Sequence, residues 1–219
     1  MKQVNPELSQ KFLKNIKNQE SEVLDVDGAK IMTCKNVFPP QSSYSRSSKN
    51  LHDIFGDLKD RSILDIGTGT GVQAIQSILI GKAKSAVATD INPQAISCAK
   101  ENVKLNGLEN KISVIESDLF SKIPSNKKFD IIIANLPIVD FPIEGVVESA
   151  LYDPNYSIHK RLFKEAGRYL AHGGAIIMSH ANFKGSGDFE EIEKMMEDYG
   201  FNIDDYIESQ DLGYTWRKY

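Results

Sequence analysis

Asp65-Ile66-Gly67-Thr68-Gly69-Thr70-Gly71 places an acid ahead of three glycines at alternate positions. A loop without Cβ atoms at those points turns tightly and lets a ligand lie against the backbone. The dinucleotide fingerprint needs G-x-G-x-x-G. Here the third glycine comes one residue early and Val72 holds the sixth position. An acid just before the loop repels a pyrophosphate and suits a ligand carrying an ammonium group. Asp90 comes about 20 residues further on, where an acid in a doubly wound sheet bonds a ribose diol. Asp118, in Ser117-Asp118-Leu119-Phe120, can accept a hydrogen bond from an adenine amino group, with Leu119 beside the ring. For each acid the competing role is local: helix capping for Asp90, a turn for Asp118.

These residues need elements to hold them. Ser62–Ile66 is a short apolar run ahead of the glycines, and Val72–Leu79 reads as the following helix. Ala86–Asp90 is a second strand. Asn92-Pro93 opens a helix, since Asn caps well and Pro suits the first helical position; Asn106-Gly107 ends it. Ile112–Ile115 and Phe129–Ala134 are further strands, and Tyr156–Leu170 is a helix stopped by Gly173-Gly174. Asp153-Pro154 reads as the turn leading into it. Ala175–Ser179 is a fifth strand and Asp188–Tyr199 a helix. Alternating strands and helices imply right-handed βαβ units and a mainly parallel sheet. The last two strand candidates, Ile203–Ile207 and Tyr214–Tyr219, are too close for a helical crossover, so an antiparallel hairpin should close the sheet. The fold class is α/β, Rossmann-like and doubly wound.

The front of the chain differs. Pro6–Glu20 carries Leu8, Phe12, Leu13 and Ile16 at helical spacing. Residues 22–33 read as two short strands around Asp27-Gly28. Pro39-Pro40 breaks structure, and Gln41–Lys49 reads as a loop, a lid candidate through Tyr44 and Arg46. We divide the chain into residues 1–60 (helix, hairpin and lid-like loop) and 61–219 (the ligand-binding domain).

From Asp65 onwards the chain resembles the class I methyltransferases that use S-adenosylmethionine (SAM). The resemblance covers about residues 60–219. It rests on four ordered pieces: Asp65–Gly71, Asp90-Ile91, Ser117-Asp118-Leu119 and Asn135-Leu136-Pro137-Ile138. It implies SAM as cofactor, with Asp65, Gly67, Thr68, Gly69 and Gly71 around the methionine part. Asp90, with Ile91, would hold the ribose, and Asp118 with Leu119 the adenine. The sheet with an antiparallel last strand matches that family.

Asn135-Leu136-Pro137-Ile138 looks like a variant of the Asn-Pro-Pro-Tyr tetrad of amino methyltransferases, among them release-factor glutamine and nucleobase amine enzymes. The family chemistry assigns catalysis to Asn135, Leu136 and Pro137, and acceptor binding to Asn135, Pro137 and Ile138; Asn135 also borders the cofactor. An amide or aryl amine nitrogen has a delocalised lone pair. The Asn135 side-chain oxygen and the Leu136 carbonyl can each accept an N–H bond, turning that lone pair to the methyl group and stabilising developing positive charge. Leu136 replaces the first proline but keeps its carbonyl. Ile138 replaces the aromatic, and Phe141 can supply a ring instead. The reading is a SAM-dependent N-methyltransferase whose acceptor is a protein glutamine, a nucleobase amine or a small-molecule nitrogen. The alternatives are a non-catalytic SAM- or nucleotide-binding module and, disfavoured by the glycine spacing and Asp65, an NAD-dependent oxidoreductase.

Composition bounds the partners. A net charge of −4 gives no strong nucleic-acid footprint. The first 50 residues carry eight Lys/Arg against five Asp/Glu, an excess that a solvated helix face explains. The longest apolar runs, such as Ile131–Ala134, are strand-sized, so no membrane span is expected. No signal-peptide core opens the chain. Cys34 and Cys98 have no metal-ligand spacing and suggest no disulfide framework, and a reducing cytoplasm fits. His180 could serve as a base but reads more simply as structural. His52, His159 and His172 form no constellation, and Trp216 reads as core.

Overall fold

The structure, a computed structural model, describes residues 6–40, 57–137, 139–181, 188–208 and 214–218. Helix α1 spans Pro6–Asn18, and strands β1 (Val23–Val26) and β2 (Ala29–Met32) pair antiparallel around Asp27-Gly28. Both turn residues have positive φ, 53° and 84°, and the Gly28 amide donates to Asp25 Oδ1 at 2.9 Å.

The main sheet contains β3 (Ser62–Ile66), β4 (Ser85–Asp90), β5 (Ile112–Glu116), β6 (Phe129–Ala134), β7 (Leu170–Ala181), β8 (Asp205–Glu208) and β9 (Tyr214–Lys218), in the order β5-β4-β3-β6-β7-β9-β8. Strands β5, β4, β3, β6 and β7 are parallel. Strand β9 runs antiparallel to both β7 and β8, the expected closing hairpin. Helices α2 (Val72–Leu79), α3 (Pro93–Leu105), α4 (Ser157–Ala166) and α5 (Asp188–Asp198) complete the fold.

Central β3 is apolar on both faces because both are covered: Ile63, Leu64 and Ile66 are all buried. Alternation sends Ile63, Ile131, Ile133 and Ile177 into one cluster with Ile75 and Ile78 of α2 and with Val26 and Ile31 of the front hairpin. Leu64, Ile132, Ile176 and Met178 enter the other, with Leu162 and Phe163 of α4 and Ile192 and Met196 of α5. Each such side chain, fully buried, is worth about 1.5–3 kcal/mol.

The front segment is fastened to α3. Asn102 Oδ1 accepts from the Met32 amide at 2.8 Å and Asn106 Oδ1 from the Lys30 amide at 3.0 Å. Cys34 and Cys98 form a disulfide across the same junction. This corrects the expectation of no disulfide. The two residues are separated by 64 positions, and only the docking of the hairpin on α3 brings their Cα atoms to 6.1 Å.

Two boundaries also differ from expectation. The helix read as Tyr156–Leu170 ends at Ala166, and β7 begins at Leu170. Phe129 pairs with Leu170 but Ile131 with Ala175, so β7 holds three extra residues across the register shift. Gly173-Gly174, read as the stop, lies inside that irregularity. A Cβ on Gly174 would sit 2.9 Å from the Asp130 carbonyl oxygen, which demands glycine. Among the described residues, no helix is long and apolar enough to cross a membrane.

Candidate active site

In the parallel part of the sheet, β3 lies between β4 and β6, which follow it in opposite directions across the sheet. Ligands of such sheets bind outside the carboxyl ends of the strands at this reversal. The chain arrives there four times: after β3 with the glycine loop, after β4 with Asp90, after β5 with Asp118 and after β6 with Asn135.

The glycine loop takes left-handed backbone at all three glycines, with φ of 69°, 56° and 83° at Gly67, Gly69 and Gly71. Gly71 also packs so closely on α3 that a Cβ would lie 3.2 Å from that of Ala99. Asp65 is buried beneath the loop. Its Oδ2 accepts from the Thr68 hydroxyl at 2.5 Å and the Ala74 amide at 3.1 Å. Burial pushes its carboxyl up to about 7, against those two hydrogen bonds, and the charge of Asp90 adds to the rise. The Thr68 side chain is therefore turned inward, and what the loop presents to a ligand is backbone.

Asp90 ends β4 half-buried. The Gly69 amide donates to its Oδ2 and the Asn92 amide to its Oδ1, both at 2.9 Å. One carboxylate thus ties the glycine loop to the start of α3, so the capping role and the ligand role share one residue. Burial raises its pKa against the hydrogen bonds from Asn92, Gly69 and Ile91. A carboxylate offers about four lone-pair sites, more than these amides use, so acceptor capacity remains for a ribose hydroxyl. Ile91 beside it is 51% exposed. Asn92 caps α3 by accepting from the Gln94 amide at 3.0 Å.

Asp118 is bound to a residue the sequence reading missed. Arg161 of α4 donates to both its oxygens at 3.0 Å, a bidentate pair. No sequence signal separates Arg161 from the other basic residues of its helix. Leu119 is buried with φ of 46°, and the Ser117 amide donates to the Asp90 carbonyl at 2.9 Å. Asp118 is thus a short step from Asp90.

Asn135 follows Ala134, which pairs with Ile66 of β3 and Met178 of β7. Leu136 is buried, and its Cδ2 would meet a Cβ on Gly67 at 3.7 Å. The candidate catalytic corner therefore packs on the glycine loop. Asn135 Oδ1 accepts from the hydroxyl of Ser179, a buried residue of β7. Pro137 is half-buried. Ile138 lies outside the described residues, as do Tyr44 and Arg46 of the lid candidate; the side chains of His180 and Trp216 are likewise outside the description. Phe141, proposed as a substitute ring, is 48% exposed and contacts Tyr152 with centroids 5.0 Å apart.

Two contacts escaped the sequence reading. Phe38 brings its carbonyl oxygen to 4.0 Å from where a Gly69 Cβ would be, so the front segment reaches the loop there. His159, expected to stand alone, is fully buried with Asp153, Nδ1 to Oδ2 at 2.7 Å. Asp153 also accepts the Ile158 and His159 amides at the start of α4. Burial opposes its ionisation, but the hydrogen bonds prevail and hold its carboxyl below the usual range.

Over 188 residues the chain is 32% identical to a protein of Methanocaldococcus jannaschii named "Putative protein N5-glutamine methyltransferase MJ0928", covering 83% of this chain and 89% of that one. The chain belongs to the SAM-dependent methyltransferase family. Residues 49–151 of this methyltransferase match the family model of the ribosomal protein L11 methyltransferases. It is 31% identical over 161 residues to a release factor glutamine methyltransferase of Fusobacterium nucleatum, but spans only 44% of that protein's length. Among solved structures, it resembles a ribosomal protein L11 methylase of Lactobacillus delbrueckii subsp. bulgaricus, with a TM-score of 0.62, 24% identity, and 79% of this chain and 77% of that one covered. It also resembles the Thermus thermophilus 16S rRNA N2 G1207 methyltransferase in complex with AdoMet and guanosine, with a TM-score of 0.66, 17% identity, and 91% and 49% covered. The last two likenesses establish the fold.

SAM is the cofactor of this methyltransferase, and the residues fit it. Bare backbone at Gly67 and Gly69 can accommodate an amino-acid chain, and the half-buried carboxylate of Asp90 beside it can accept from hydroxyls.

Proposed function

We propose that this methyltransferase transfers a methyl group to the side-chain amide nitrogen of a glutamine in a protein. The observation that carries the proposal is the packing of the Leu136 side chain on Gly67, which sets the Asn135-Leu136 corner beside the glycine loop. The M. jannaschii and F. nucleatum relatives bear glutamine methyltransferase names, and the L11 family match also names a protein acceptor.

The bound cofactor supplies a methyl group on a sulfonium, a leaving group that needs no further activation. In our reading, Asp90 holds the ribose diol and the glycine-loop backbone receives the methionine part. Asp118, fixed by Arg161, borders the adenine. Asn135 Oδ1 and the Leu136 carbonyl each accept an N–H from the acceptor amide and set its lone pair in line with the methyl carbon. When bound, the cofactor would give up its methyl group to the amide nitrogen, leaving S-adenosylhomocysteine and a proton for water. Orientation of this kind can lower a barrier by roughly 7–11 kcal/mol, so no strong base is required of the site. We place the reaction in the cytoplasm, where protein synthesis supplies acceptors.

The test is labelled SAM with methyl-tritium, incubated with the enzyme and, separately, a translation release factor, ribosomal protein L11 and total tRNA. Label in protein that acid hydrolysis releases as volatile methylamine supports an N-methylated amide. Label confined to tRNA, or retained on lysine after hydrolysis, contradicts the glutamine assignment.

A further inference from the structure

We propose that Ser179 is a positioning residue for methyl transfer, holding the amide plane of Asn135. The inference rests on the catalytic reading of Asn135 above.

The sheet register makes the pairing unavoidable. Ala134 of β6 lies opposite Met178 of β7, so the next residue on each strand, Asn135 and Ser179, are side by side. Side chains alternate across a sheet. Asn135 and Ser179 share the parity of Ile133 and Ile177, which pack together in one core cluster. The Ser179 hydroxyl donates to Asn135 Oδ1.

The terminal torsion of an asparagine is broad and two-fold, so packing alone holds it poorly. The acceptor nitrogen needs an oxygen, not an NH2 group, at one fixed position. A hydroxyl donor on Oδ1 disfavours the flipped amide, which would set NH2 against Ser179. An amide oxygen carries two lone pairs, so one bond from Ser179 does not by itself exhaust its acceptor capacity. Ser179 is 3% exposed and its effect on acceptor and cofactor runs through Asn135. Its strand position gives it an orienting role that an apolar residue of the same size cannot fill.

The test is a double-mutant cycle with Ser179→Ala, Asn135→Ala and the double variant. Initial rates of tritiated methyl transfer into a soluble cell extract are measured at saturating SAM, and SAM affinity is measured by calorimetry. We expect Ser179→Ala to lower the rate about tenfold, the scale of one hydrogen bond. SAM affinity should stay within about twofold, and Ser179→Ala should add nothing in the Asn135→Ala background. A full rate in Ser179→Ala, or the same loss with and without Asn135, overturns the proposal while leaving the function standing. A full rate in Asn135→Ala, or no label transferred by the wild-type enzyme, overturns the functional reading and this inference with it.

Discussion

The Gly69 amide donates to Asp90 Oδ2 at 2.9 Å, so the bend after β3 and the acid ending β4 form one rigid unit. The same carboxylate accepts the Asn92 amide through its other oxygen. A ligand that bonds Asp90 is therefore read by the glycine loop and the α3 terminus at once. Removing the acid should weaken the cofactor through both.

Asp90→Ala is expected to weaken SAM binding by roughly 1.5–3 kcal/mol, the range for hydrogen bonds to a charged group. That corresponds to about a 10- to 150-fold rise in Kd. Titration calorimetry checks it; an unchanged Kd removes Asp90 from the ribose role.

Asp65 makes stability depend on pH in a direction opposite to most carboxylates. Its folded-state pKa is raised to about 7, above an unfolded value of about 3.9. Below the unfolded value both states are protonated and the residue costs nothing. Between the two values the folded form keeps a proton that the unfolded form has released, so stability falls as pH rises, and the loss is complete above about 7. Asp65→Asn keeps an acceptor for the Thr68 hydroxyl and the Ala74 amide. Its melting temperature relative to wild type should climb from pH 5 to pH 8. A difference that stays flat over that range, by calorimetric melts, contradicts the raised value.

Gly71 and Gly107 both have positive φ, 83° and 65°, but only Gly71 is crowded: a Cβ there would lie 3.2 Å from Ala99 Cβ and 3.3 Å from Ala99 Cα. Alanine in left-handed backbone costs about 1–2 kcal/mol at either site. Gly71→Ala must also push α3 away from the loop, so it should lose more stability in urea and weaken SAM as well. Equal losses from the two variants would mean that the close approach of loop and helix has no energetic weight.

The Cys34–Cys98 disulfide closes a loop of 64 positions, for which chain entropy gives about 4 kcal/mol of stabilisation. Reductant should lower the melting temperature of the wild type, while Cys34→Ala should melt low in both conditions. In a reducing cytoplasm the pair would be held as thiols. Alkylation of both cysteines after air oxidation and without reductant, read by mass spectrometry, counts against the bridge.

What could be read in advance follows from locality. Asp27-Gly28, Asn92-Pro93 and the glycine triplet each encode their backbone within a few residues, and all three behave as their residue types dictate. The closing hairpin was legible because its spacing forbids a crossover. Contacts formed by distant segments were not. Cys34 meets Cys98 only through hairpin docking. Arg161 reaches Asp118 from a helix that follows β6 in the chain, 43 positions away. The early start of β7 depends on pairing with Phe129 and not on its own apolar run. Ser179 had the nearest thing to a signal, a polar residue ending a strand beside Asn135's strand, but only the register turns that into a contact.

The most direct test of the whole account is a crystal structure with S-adenosylhomocysteine bound. The account predicts both ribose hydroxyls within hydrogen-bonding distance of Asp90, the amino-acid part along Gly67 and Gly69, and the sulfur facing Asn135. A nucleoside bound elsewhere, or one whose sulfur faces away from Asn135 with Asp90 left uncontacted, would contradict it.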